Sequence, residues 1–297
     1  LVAYGKEVVV VDNVSSSRVS CPPEASLVRA DVRDRVQIGD ALRGADIVFH
    51  LAANMNGTLS IADPRWDFEI NSVGTFNVVE AALAAGAQRL VYVSSASAYG
   101  VPQRFPIGEE HPLRPFLPYG ASKLAGELTC LSFQATFGLT CVIGRPFCVY
   151  GQGENPKLAL VEVARYLRWH LRGEPIQVVG DLDHKTRDFV HVRDLVAALL
   201  LIADRALPGE IINLGSGEEC SMRQLVDVIG VVTGRTPIVT ARPEVTDDTY
   251  RLVADISKLR GLGFDPTMTL ADGVSDLVSQ LGTNPEPPSG ATIFRRG

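Results

Sequence analysis

Apolar positions along the first half of the chain fall into two alternating kinds of run. Short β-branched stretches occupy residues 7–12, 26–30, 46–51, 89–94 and 139–143. Between them lie longer stretches with helical periodicity, above all residues 64–85, closed by Gly86, and 118–137, closed by Gly138. A glycine just past the last periodic residue is a helix C-terminal signal. Near-continuous apolar strands separated by helices imply a parallel sheet covered on both faces, an α/β doubly wound architecture.

After residue 150 the pattern loosens. Helices are expected over 157–171, 194–203, 221–232 and 270–281, with short strands at 176–179, 187–190, 210–214 and 237–239. This divides the chain into a main unit, residues 1–170 and 188–215, and a smaller C-terminal α/β unit, residues 171–187 and 216–282. Residues 283–297 carry three prolines and no periodicity, and are expected to form a flexible tail.

With 297 residues, 46% of them hydrophobic, the chain can bury a sizeable core. Its net charge of -6 argues against a nucleic-acid binder. The apolar run 195–203 is too short to span a bilayer, and the opening residues lack the basic-then-apolar pattern of a secretory leader. Five cysteines without C-x-x-C spacing point away from a disulfide framework or zinc site, and toward a reducing cytoplasm.

Asp12 closes the first apolar run. In dinucleotide-binding folds an acidic residue at the end of the second strand holds the adenosine ribose, and a glycine-rich phosphate loop lies about 20 residues earlier. That loop would fall before Leu1. The closest later glycine cluster, Gly215-Ser216-Gly217, lacks the third glycine. The expectation is an N-terminally truncated fold, without its first strand and glycine-rich loop. The alternative is that Asp12 is a turn residue.

Tyr119 and Lys123 form a Tyr-x-x-x-Lys. Residues four apart share a helix face, and a nearby ammonium favours phenolate. Such a tyrosine is an acid/base for a hydroxyl. Ser95 closes the 89–94 strand, at the carboxyl edge where these sheets place ligands.

These residues, with Phe49-His50-Leu51-Ala52-Ala53, Asn71-Ser72-Val73-Gly74-Thr75, Gly144-Arg145-Pro146 and Arg187-Asp188-Phe189-Val190-His191-Val192, resemble the extended short-chain dehydrogenase/reductase family in its NAD-dependent epimerase/dehydratase branch. The resemblance implies a Rossmann-type NAD-binding domain with a smaller domain for a nucleotide-diphosphate sugar. It implies that Tyr119 is the acid/base, that Lys123 tunes it and holds the nicotinamide ribose, and that Ser95 binds the reacting hydroxyl. Asp12 and Asn13 would hold the adenosine ribose, Asp31 and Val32 would face the adenine, and Leu51, Ala52, Ala53 and Pro146 would line the cofactor groove. Asn71 would support the site from a helix. Arg187 and Arg242 match positions near the substrate diphosphate, where a guanidinium fork suits phosphate. A homodimer is implied through the 64–85 and 118–137 helices.

The chain departs from the family at Cys148, where Asn is common, at Arg193, where Asp is common, and at Glu244-Val245 in place of Gly-Asp. Ala96 and Ser97 follow Ser95 where 4,6-dehydratases carry Asp-Glu, and neither can exchange a proton near neutrality. The expected reaction is C4 epimerisation. A reductase, dehydrogenase or dehydratase on the same scaffold, or a non-catalytic truncated remnant, are the other readings.

Overall fold

Successive residues of the 89–93 run go to opposite sides of a sheet. Leu90 and Tyr92 enter one buried cluster with Ile38, Val48, Val79, Ala82 and Ile143, while Val91 enters another with Val142, Leu195, Leu199 and Ile202. Both faces are covered, which is why the run reads as continuously apolar.

The structure, a computed structural model, describes residues 1–16, 21–55, 57–156, 161–242 and 250–288. Strands β1 (Val9–Asp12), β2 (Ser26–Arg29), β3 (Ile47–His50), β4 (Arg89–Val93) and β5 (Cys141–Pro146) alternate with helices α1 (Arg35–Ala41), α2 (Gly57–Ala62), α3 (Pro64–Phe68), α4 (Gly74–Ala84) and α5 (Pro118–Phe137). There follow β6 (Cys148–Tyr150), α6 (Glu162–Leu171), β7 (Ile176–Val179), β8 (Thr186–Arg187), β9 (Phe189–His191), α7 (Val192–Arg205) and β10 (Ile211–Leu214). The chain ends with β11 (Cys220–Ser221), α8 (Met222–Thr233), β12 (Val239–Arg242), β13 (Arg251–Leu252), α9 (Ser257–Gly261) and α10 (Leu270–Leu281). No helix among the described residues is long and apolar enough to cross a membrane.

The main sheet is parallel, in the order β10-β5-β4-β3. β1 and β2 form a separate parallel pair. In the doubly wound order a first strand lies between the ribose-binding strand and the fourth strand, and the described residues supply none there, so the sheet is in two pieces. The architecture is nonetheless that of a Rossmann-type α/β fold.

Three boundaries differ from the sequence reading. The 64–85 helix is interrupted by a π-helical turn, Glu69–Val73, in which the Gly74 amide donates to the Glu69 carbonyl. The 187–190 strand is split at Asp188, whose neighbours belong to different sheets: β8 pairs with β11 and β13, and β9 with β6. Asp188 is fully buried and collects the amides of Ser216, Gly217 and Ala254, which explains the break. The 157–171 helix is seen from Glu162; residues 157–160 lie outside the described residues. It packs with α8 and α10 around Val163, Leu167, Leu225, Ile229 and Val274, the core of the C-terminal unit.

Candidate active site

Helix α5 begins at Pro118 and packs against β4 and β5. Two glycines let it lie close. A Cβ on Gly120 would stand 2.5 Å from the Ser97 carbonyl oxygen, and one on Gly126 would collide with the Tyr92 hydroxyl. The first approach brings Tyr119 to the turn after β4, beside Ser95. Ser95 itself accepts from the Ser97 amide at 3.1 Å. The second approach lays the Lys123 ammonium 4.6 Å from the centre of the Tyr92 ring, whose hydroxyl donates to the Lys123 carbonyl at 3.1 Å.

Ser95 and Tyr119 thus lie together, with Lys123 one turn further along α5. Their electrostatics differ from the simple expectation. Burial pushes the Tyr119 phenol up to about 12, with Ser95 pulling down and Asp67 pushing up. Burial likewise pushes Lys123 down to about 8, against the pull of Glu127. In this protein desolvation outweighs any lowering of the phenol by its neighbouring ammonium.

Beneath the pair lie two buried carboxylates that the sequence reading missed. Glu127 sits one turn beyond Lys123 and is gripped by Arg145, through Nε at 2.9 Å and a terminal nitrogen at 2.6 Å; the Ser94 hydroxyl also donates to it. Asp67 accepts from Asn54 Nδ2 at 2.6 Å, Ser122 Oγ at 2.6 Å and Asn71 Nδ2 at 3.1 Å. Asn71, the expected supporting residue, also accepts the Asn54 amide at 2.9 Å. The signal for both carboxylates was present as spacing: Asp67 precedes Asn71 by four, and Glu127 follows Lys123 by four. His50 bonds Thr75 Oγ1 at 2.9 Å, and burial together with Lys123 drives it down to about 3, so it is neutral.

The residues expected at the adenosine end also converge. Asp12 accepts the Val14 amide at 2.7 Å. That turn holds Val14 at φ 58°, a strained position for a β-branched residue. Asn13 donates to Asp31 at 3.0 Å, and Asp31 is held well below the usual carboxylate range by its hydrogen bonds to Arg33. Val32 packs so tightly on Gly74 that a Cβ there would clash. Leu51 and Ala52 are exposed and Ala53 half-buried on the loop after β3, and Pro146 closes β5. A carboxylate at a strand end and small side chains beside the sheet suit a dinucleotide.

The two arginines separate. Arg187 is buried, 3.7 Å from Glu162, which Arg165 also approaches at 3.7 Å. Burial pushes Glu162 up, but Arg187, Arg165 and Lys185 outweigh it and hold the carboxyl at about 2. Arg242 is instead exposed at the end of β12, on Gln177 at 2.5 Å, in an open cleft with Asp181, Asp183, Arg223 and Tyr250. Tyr250 lies between the two: Arg187 donates to its carbonyl at 3.5 Å, and it lines the Arg242 cleft. Glu244 and Val245 lie outside the described residues.

Ser95, Tyr119 and Lys123 lie near the carboxyl edge of a parallel sheet, where such folds bind their ligands. Residues 1–215 match the model of the NAD dependent epimerase/dehydratase family, and the chain belongs to that family. It is 31% identical over 289 residues to a putative UDP-glucose 4-epimerase of Methanocaldococcus jannaschii, covering 96% of this chain and 93% of the relative. Its structure is similar to that of a UDP-glucose 4-epimerase of Thermotoga maritima with UDP-glucose, at TM-score 0.89 and 29% identity, over 94% of this chain and 92% of the other. It is also similar to a dTDP-glucose 4,6-dehydratase of Streptomyces venezuelae with NAD bound, at TM-score 0.82 and 28% identity, over 92% and 86%.

Proposed function

We propose that this protein is a nucleotide-sugar 4-epimerase that acts on a UDP-sugar such as UDP-glucose. The observation that carries the reading is the approach of Tyr119 to Ser95 on the turn after β4, with Lys123 one helical turn on and no carboxylate at Ala96 or Ser97. Ser95 orients the sugar hydroxyl, and Tyr119 takes its proton and later returns it. Lys123 holds positive charge beside the phenol. NAD, when bound, supplies a reversible acceptor for the hydride that leaves the sugar carbon. Asp12 and Asn13 hold its ribose, and the Asp12 charge selects against a 2′-phosphate. Asp31 and Val32 face the adenine, and Leu51, Ala52, Ala53 and Pro146 line the groove.

Residues 1–170 and 188–215 serve the cofactor, and residues 171–187 and 216–282 the sugar nucleotide, with α6 lending its apolar face to the second. Arg187 faces the diphosphate from its buried position. Arg242 approaches from the cleft that it lines with Tyr250. The protein works as a homodimer through α4, the turn before it, and α5, where Val73, Phe76, Leu128 and Phe137 are exposed. An apolar face of this kind marks an interface. Five free thiols suit the cytoplasm.

The test is incubation with NAD and UDP-glucose, followed by NMR of the sugar. Appearance of the C4 epimer without net NADH supports the reading. A 4-keto-6-deoxy product establishes the dehydratase, which the Streptomyces venezuelae neighbour favours. Stoichiometric NADH establishes a dehydrogenase.

A further inference from the structure

We propose that Asp67 is a positioning residue for the Tyr119–Lys123 pair, a buried carboxylate that fixes helix α5 in place and sets the charge felt by the phenol. The inference rests on the reading of Tyr119 as the acid/base.

Asp67 is fully buried, yet no ion pair among the described residues includes it. Its three donors are neutral and come from three elements: Asn54 from the loop after β3, Asn71 from the π-helical turn, and Ser122 from α5. Burying a carboxyl group without an ion partner is costly, so its place calls for a cause.

Glu127 provides the contrast. It lies on the other side of Lys123 and has its own cation, the two-pronged Arg145. Glu127 supports the Lys123 charge more strongly than Asp67 does, but it also holds an arginine. Asp67 has no such neutralising partner, and Lys123 is the ammonium whose charge it supports.

The groups around the pair are few. Tyr119 meets Ser95 from the end of β4 and Asp67 from α3. Lys123 meets Asp67, Glu127 and Cys130 from the helices, and Tyr92 and the neutral His50 from β4 and β3. Among the described residues, Asp67 is thus the carboxylate beside both that has no ion-pair partner. It keeps Lys123 protonated and opposes premature ionisation of Tyr119, so the phenol retains its proton until substrate and cofactor are seated. The link is also mechanical, because Ser122, which Asp67 holds, lies between Tyr119 and Lys123 in the sequence.

The experiment compares NAD-loaded wild type with Asp67→Asn, each with and without Tyr119→Phe. The tyrosinate absorbance difference isolates Tyr119 without any substrate. In Asp67→Asn its midpoint falls by about one pH unit, the effect of removing a nearby like charge. The acid limb of the kcat profile moves down with it, while KM stays within about twofold. A Tyr119 midpoint unchanged by the substitution overturns the inference and leaves Asp67 as scaffold. A lowered midpoint in a protein that turns over no nucleotide sugar supports the inference while the epimerase reading fails. Should Asp67→Asn not fold, Asp67→Ser leaves room for water to meet the three donors, and the same titration is read.

Discussion

Arg145 and Glu127 form a two-pronged ion pair with both side chains 1% exposed, directly behind the Lys123 helix. Breaking such a pair strands a charge in the interior, at about 3–5 kcal/mol. Arg145→Met is expected to lose that much in a chemical denaturation series. Adding Glu127→Leu removes the stranded carboxylate and is expected to recover most of the loss. A single variant as stable as wild type contradicts the assignment.

Tyr119→Phe removes the only proton carrier placed on Ser95. Turnover is expected to fall by about 10²–10⁴-fold, the span of general acid–base catalysis. NAD affinity, read by calorimetry, stays near that of wild type. Substantial residual turnover would assign the proton transfer to another group.

Lys123 sits at about 8 against an ordinary 10.5, because burial disfavours the ammonium. Between those values the unfolded chain binds the proton and the folded chain does not, so this residue makes stability rise with pH there. Below pH 8 the folded protein carries the whole penalty, on the order of 3 kcal/mol for a difference of about 2.5 units. Lys123→Met is therefore expected to be more stable than wild type at pH 7, and equal to it above pH 10.5. Tyr119, raised to about 12, loses its contribution as pH climbs from 10 toward 12, and this cancels between the two proteins. Denaturant midpoints at pH 7 and pH 11 decide the matter.

Gly120→Ala drives a methyl group into the Ser97 carbonyl and lifts the start of α5 from the Ser95 turn. Overpacking of this kind costs about 1–3 kcal/mol. Displacing Tyr119 by an ångström is expected to lower kcat by about 10²-fold. Steady-state kinetics beside a melting curve separates the two effects.

Leu128→Glu puts a charge into the apolar face of α5, where Leu128 is 59% exposed. Sedimentation should show a dimer for wild type and a monomer for the variant. A dimer in both moves the interface elsewhere.

Much of this was legible in the sequence because it depends on local periodicity. The alternation of β-branched runs and helices gave the parallel sheet, and the i,i+4 relation of Tyr119 and Lys123 placed them on one face. What escaped depends on long-range contact. Asp67 meets Ser122 across 55 residues, and Arg145 meets Glu127 from a strand. Arg187, expected near the substrate diphosphate, is buried beside Glu162, a partner its spacing did not announce. The direction of the Tyr119 shift also escaped, since spacing reports a neighbouring ammonium but not how much water the fold removes.

The five-residue wide turn at Glu69–Val73 slips the helical phase between its two ends. Asp67 and Asn71 therefore look toward Ser122, while Thr75 looks toward His50. A regular helix could not aim these side chains at both targets. Deleting a single residue from that turn would restore ordinary winding and unlatch one target or the other, so this stretch tolerates conservative replacement but not a change in its length.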